Sequence, residues 1–183
     1  MHLPYAYCYR CSLKLTYPDC GLACVDLIEK RLKAREVSGL FVEPVQGEGG
    51  YIVPPKEFHR ELRRICDEQG ILLVDDDVQA GYYRTGTFLG MQHFGVIPDV
   101  VCMSKPLGGG FPMGATIASE DIMQWPHGAH ANTLGGNLIA CAAGLASLRY
   151  AKSKELGKNA RRQGAYLLKQ LKKLQERYEL IGD

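Results

Sequence analysis

Ile71-Leu72-Leu73-Val74-Asp75-Asp76-Asp77-Val78-Gln79 decides how this chain folds. Its first four residues are apolar without alternation, the pattern of a strand covered on both faces, as in a parallel sheet flanked by helices. Three carboxylates then mark the end of that strand. In open α/β sheets ligands sit beyond the carboxyl ends of the strands, so acids placed there are candidates for chemistry as well as for solvation.

The neighbouring segments supply the rest of such a sheet. Pro54-Pro55 opens a helix at its first turn, where a missing N–H costs nothing, and Phe58, Leu62 and Ile65 recur on one face until Gly70. Before it, Val37 to Val42 reads as a short buried strand stopped by Glu43-Pro44. Residues 24–36 carry apolar side chains at helical spacing and end in a charged run. Downstream, Val100 to Met103 is a second strand of the same kind after Pro98-Asp99, and Gly114 to Ala118 a further one. Strand, helix, strand in that order predicts an α/β fold with a parallel sheet and right-handed crossovers. Asn137 to Tyr150 is apolar nearly all round and predicts a buried helix, whereas Leu156, Ala160, Leu167, Leu171, Leu174 and Tyr178 form one stripe on a long basic helix. The chain thus divides into a Cys-rich arm and helix (1–36), a central segment (37–150) and a long helix (151–183). It stops at Gly182-Asp183 directly after that helix and reads as part of a longer polypeptide.

At 46% hydrophobic and 23% charged, the composition is that of a globular protein. A formal charge of +2 with interleaved signs offers no field for a polyanion, so nucleic acid is not an expected partner. Leu138 to Leu148 is too short to span a bilayer, which takes about 20 residues, and no membrane association is expected. Met1-His2-Leu3-Pro4-Tyr5 lacks the basic start and apolar run of a secretory leader, which points to the cytoplasm. Of seven cysteines, Cys66, Cys102 and Cys141 lie in apolar segments and read as core. Cys8, Cys11, Cys20 and Cys24 follow Cys-x2-Cys, eight residues, Cys-x3-Cys, a spacing open to a tetrahedral metal, to reduced thiols or to a disulfide in a surface arm. The halves are unlike and no glycine knuckle follows the first pair, so no metal is assigned.

Chemistry enters with Ser104-Lys105-Pro106-Leu107-Gly108-Gly109-Gly110. Glu43, Asp76 and Lys105 all fall at strand ends and converge on one crevice. A partly desolvated lysine loses its preference for the ammonium form and can bond an aldehyde. An acid beside a pyridine nitrogen keeps the ring protonated and able to accept electrons. The glycines let backbone pass close to a flat ligand. Each motif singly is a weak signal, since acids at strand ends are common and Lys-x-x-Gly-Gly can be a turn with a solvated lysine. Neither Gly-x4-Gly-Lys-Ser/Thr nor Gly-x-Gly-x-x-Gly occurs, which argues against nucleotide binding.

In combination the words are more specific. Val42-Glu43-Pro44-Val45-Gln46-Gly47-Glu48-Gly49-Gly50, the stretch Ile71 to Gln79, Arg84-Thr85-Gly86, Pro98-Asp99-Val100-Val101, Ser104-Lys105 and Thr133-Leu134-Gly135-Gly136-Asn137 resemble, in that order, the class III (ω-amino) aminotransferases. These are fold type I enzymes that use pyridoxal phosphate, and the opening Pro4-Tyr5-Ala6-Tyr7-Cys8-Tyr9-Arg10-Cys11 is similar to archaeal members. The resemblance implies part of a large domain with a mostly parallel sheet covered by helices. By position it makes Lys105 the group that bonds the cofactor's aldehyde and moves the substrate proton, and Asp76 the partner of the ring nitrogen. Val78 would pack on the ring and Gln79 would bond its hydroxyl, while Thr133 would reach the phosphate of a partner subunit's cofactor, which implies a homodimer with shared sites. Glu48 would admit substrates with a second carboxylate, and Glu43 would lie near the site; a loop-ordering hydrogen bond is the alternative for both.

The chain departs from the family at Asp77, at Tyr82-Tyr83 and at Pro106. The implied reaction moves an amino group from an amino acid or ω-amino acid, such as 4-aminobutyrate or ornithine, to a 2-oxo acid. An amino-acid racemase and a catalytically silent fragment acting only in binding or dimerisation are the alternatives. The family's phosphate cup and small domain fall outside these residues, so the chain alone is expected to hold cofactor weakly.

Overall fold

A computed structural model describes residues 1–34 and 36–182. Its centre is a four-stranded sheet in the order β1 (Gly39–Val42), β2 (Leu72–Asp76), β3 (Val100–Met103), β4 (Ala115–Ala118). The first three strands are parallel, with Val42 opposite Asp75 and Asp76 opposite Cys102. β4 instead pairs antiparallel with β3, Met103 against Ala115, and corrects the expectation of a fourth strand of the same kind. A parallel return needs a crossover of roughly a dozen residues or more, usually a helix. Only the stretch 104–114 joins these strands, and its one regular element is the 3-10 turn Lys105–Gly108, so the chain folds straight back.

α1 (Ala23–Lys33) and α2 (Lys56–Gln69) lie against the β1–β2 end of the sheet. α1 stops sooner than the pattern over 24–36 suggests, and residue 35 of that pattern lies outside the described residues. Its buried side chains, Val25, Ile28 and Leu32, follow the expected spacing. α2 starts just after Pro55 and ends on Gly70, whose φ of +64° is the left-handed closure that glycine adopts without strain. Phe58, Leu62 and Leu73 are each no more than 1% exposed in the resulting core, and each such burial contributes about 1.5–3 kcal/mol.

α3 (Leu138–Ser153), capped by the Asn137 side chain on the N–H groups of Ile139 and Ala140, contacts the Lys105–Gly108 turn. It is not the buried helix its composition suggests: Leu138 is 85% exposed and Ile139 63%, and only Ala140, Gly144 and Ala151 are buried. The contact is made by small residues on one face, and the remaining apolar side chains face outward. α4 (Leu156–Gln175) follows, with Leu167, Leu171 and Leu174 of its stripe exposed. No described helix is long and apolar enough to cross a membrane.

The cysteine expectations divide. Cys66 is buried on α2, Cys102 is half-buried and Cys141 stands exposed on α3. Cys8, Cys11, Cys20 and Cys24 line one small hollow. Among the described residues no disulfide joins them, and no group of three His, Cys, Asp or Glu is arranged to hold a metal. Nor is the N-terminal segment a detached arm, because Ala6 is buried in the main core. Tyr5 donates its hydroxyl to the carbonyls of Glu43 and Pro44, each at 3.1 Å.

Candidate active site

The loop after β1 is held from below. His59, fully buried on α2, sets Nε2 2.9 Å from the Pro44 carbonyl, which makes that nitrogen the donor and leaves Nδ1 bare. Burial pushes this imidazole down to about 4, so it is neutral near pH 7. Glu43 folds back and accepts the Gly47 N–H at 2.9 Å, the loop-ordering role that had been its alternative. A Cβ on Gly47 would stand 2.4 Å from the Gln79 amide nitrogen. The Gln79 side chain therefore lies directly on this loop's backbone.

The three acids at the end of β2 divide by face, because successive side chains of a strand point to opposite sides. Asp75 and Asp77 share the side of Leu73 and are 0% and 1% exposed. Asp77 Oδ2 accepts the Gly90 N–H at 2.8 Å and so ties down the loop leading to β3. Gly90 fits only without a side chain, since a Cβ would lie 2.8 Å from the Pro44 ring and 2.9 Å from Asp77 Oδ1. Neither oxygen of Asp75 has a hydrogen-bond partner. Burial, followed by the charges of Asp77 and Asp76, pushes the Asp75 carboxyl up to about 8, and burial raises Asp77 to about 6 against its bond from Gly90. Sequence reasoning gave these two acids no role of their own. The alternation of sides along β2 was the available signal, since it turns 75 and 77 toward the helix-covered face.

Asp76, on the other side, is half-buried, with Oδ1 3.4 Å from the Val78 N–H. It lines a hollow of about 840 Å³ together with Glu43 and Gln46. Lys105 lines a second hollow, of about 530 Å³, with Glu48, Gln79, Arg84 and Thr85. Lys105 is exposed rather than desolvated, and its amine donates to the Gln79 side-chain oxygen. The expected single crevice is therefore two neighbouring ones: Glu43 and Asp76 open on one, Glu48, Gln79 and Lys105 on the other, with Gln46-Gly47 between them. Val78 is half-buried in the turn after β2. Thr133 sits in an exposed turn before α3 and borders neither hollow.

The donor set suits the ring end of a pyridoxal group. An amine, a carboxylate and a carboxamide stand at or just beyond the ends of two adjacent parallel strands, and the carboxamide of Gln79, which lines the second hollow, is in contact with the amine. Arg84 adds a cation to the second hollow, opposite in sign to Glu48.

Comparison with known proteins agrees with this architecture. The family model described as aminotransferase class-III matches residues 1–183, and the chain belongs to that family. A leucine/methionine racemase of Thermococcus litoralis is 43% identical over 100% of this chain and 42% of its own length. An acetylornithine aminotransferase of Methanopyrus kandleri is 43% identical over 86% of this chain and 40% of its own. Among solved structures, a PLP-bound amine transaminase from an uncultivated Pseudomonas species superposes with a TM-score of 0.88 at 37% identity, covering 97% of this chain and 43% of that one. The chain thus spans about two-fifths of the length of these relatives.

Proposed function

We propose that the polypeptide carrying this sequence is a pyridoxal-phosphate-dependent aminotransferase that takes an amino group from an amino acid or ω-amino acid and passes it to a 2-oxo acid. The observation that carries the reading is the Lys105 amine on the Gln79 amide, at the ends of the adjacent strands β2 and β3, in a chain of this family. When bound, pyridoxal phosphate supplies an aldehyde and an electron-accepting ring. Lys105 would provide the amine for that aldehyde and the base that carries a proton to and from the substrate carbon. Asp76 holds a proton on the ring nitrogen, Gln79 orients the ring through its hydroxyl, and Val78 backs the ring face. Thr133 reaches the phosphate held by a second subunit, which accounts for its distance from both hollows and makes the working unit a cytoplasmic homodimer with shared sites. Glu48 and Arg84, opposite charges in the Lys105 hollow, select for the substrate's second polar end, and Glu43 acts through loop order. The central segment, 37–150, carries every one of these groups.

Racemisation is the second reading, favoured by the match of a relative named as a racemase over the whole of this chain. It needs the same lysine and a second proton donor on the opposite side of the substrate carbon. A panel of amino donors separates the two outcomes, scored for keto product and for loss of optical rotation. The proposal expects keto product with 2-oxo acid present, and none from Lys105→Ala. Loss of rotation without keto product would replace it by the second reading, and turnover by Lys105→Ala would remove both.

A further inference from the structure

Two consecutive residues in the loop after β2 hold a backbone conformation that side chains disfavour. Tyr82 has a φ of +54° and Tyr83 a φ of +67°, in the left-handed region where Cβ crowds the following carbonyl. Such residues persist only where their surroundings over-determine them, and they cluster where a site needs backbone held in one place. Arg84 and Thr85, which come next, line the hollow of Lys105.

The two helices that follow the sheet supply the hold. From α3, Ser147 accepts the Tyr82 hydroxyl at 2.6 Å. From α4, Arg161 Nη1 donates to the carbonyl of the buried Gly86 at 2.8 Å, and a Cβ on Gly86 would collide with the Arg161 stem. Gly157, buried one turn earlier on α4, lets the helix come this near: a Cβ there would stand 2.7 Å from Tyr83 Cδ1 and 2.8 Å from the Gly86 carbonyl oxygen. Inside the loop, Gly86 N–H donates to the Tyr83 carbonyl at 3.0 Å and Arg84 N–H to the Gly81 carbonyl at 3.1 Å. The grip of Arg161 on Gly86 is thereby passed to the residues on either side of Arg84. A bond from a charged donor is stronger than a neutral one and suits the task of holding strained backbone.

We propose that Arg161 is a positioning residue for substrate recognition: from α4 it holds loop 82–86 so that the Arg84 guanidinium meets the second carboxylate of a dicarboxylic substrate in the Lys105 hollow. This deepens, and rests on, the role given to Arg84 above. Arg161 lines neither hollow and acts only through the loop. A guanidinium fork matches a carboxylate in geometry as well as charge, so its value depends on where its backbone stands.

The test is calorimetric titration of the complete, pyridoxal-phosphate-loaded polypeptide with glutarate, a plain dicarboxylate. Arg84→Met should weaken binding about tenfold and Arg161→Met about fivefold, while Arg161→Lys should return it to within about twofold of the parent. The double variant should bind no more weakly than Arg84→Met alone, because a residue that acts through Arg84 has nothing left to act on. Glu48, an acid on the same hollow, is present in every variant and cancels from the comparison. The borohydride-sensitive absorbance of bound cofactor checks that each variant is folded. If Arg161→Met loses that absorbance, Gly157→Ala decides, since its methyl pushes on the same carbonyl and should weaken glutarate by a similar factor. Parental affinity in the deciding variant, or losses that multiply in the double variant, would overturn the positioning while leaving Arg84 in place. Parental affinity in Arg84→Met would instead remove the role of Arg84, and the positioning with it.

Discussion

Where α1 and α2 cover β1 and β2, Phe58, Leu62, Ile65 and Leu73 are each no more than 1% exposed. Where α3 meets the turn after β3, burial rests on Ala140, Gly144 and Leu107, while Leu138 and Ile139 of the same helix stand 85% and 63% exposed. The first region stabilises the fold through area; the second places backbone within contact distance of backbone through small residues. Large side chains near β1 and β2 therefore govern stability, whereas single methyl groups near β3 govern the geometry of the candidate lysine. The acids at the end of β2 sit at the seam, with Asp75 and Asp77 facing the packed region and Asp76 the open hollow.

The largest effect expected is Phe58→Ala, which removes a ring packed edge-on against Tyr5 and His59 and should cost about 3–5 kcal/mol in denaturant unfolding. A loss below about 1 kcal/mol would show that the first region is looser than its burial indicates. Asp75→Asn should act in the opposite direction. A carboxyl raised in the folded state to about 8 from its ordinary 3.8 destabilises the fold progressively as pH climbs between those values. Below the lower value the acid is neutral in both states and the penalty vanishes; above about 8 it is complete. The variant should therefore be more stable than the parent by roughly 2–4 kcal/mol at pH 8–9, with the gain shrinking toward pH 4. Asp77, raised to about 6, contributes the same sign over a narrower window and remains in the variant. A gain that is independent of pH would show that Asp75 is not carried as a neutral acid. Smallest in energy is Gly144→Ala. The added methyl collides with Met113 Sδ and the Leu107 carbonyl, but alanine recovers up to about 1 kcal/mol of helix propensity, so the net loss should be only about 1 kcal/mol. Catalysis should suffer more than stability, because the displaced element is the turn that carries Lys105. Unchanged kcat in the loaded variant would mean that α3 does not hold that turn.

What could be read from the residues follows the same division. α2, β2 and β3 are legible because their apolar patterns match one period and their ends carry proline or glycine, and Glu43, Asp76 and Lys105 do stand at or just beyond strand ends. The direction of β4 was not legible from its composition, since an apolar run looks alike in either direction; the shortness of the link after Met103 was the available signal. α3 misleads because an apolar helix normally signals burial, whereas here only its small-residue stripe is covered. Asp76 and Lys105 line different hollows although both stand at strand ends, and no spacing rule reports which hollow a side chain lines.

Borohydride reduction of the pyridoxal-phosphate-loaded polypeptide, followed by mass spectrometry of its peptides, bears most directly on the assignment of the amine. The pyridoxyl label is expected on Lys105 alone among the lysines of this chain. A label on any other lysine, with Lys105 unmodified, would contradict it.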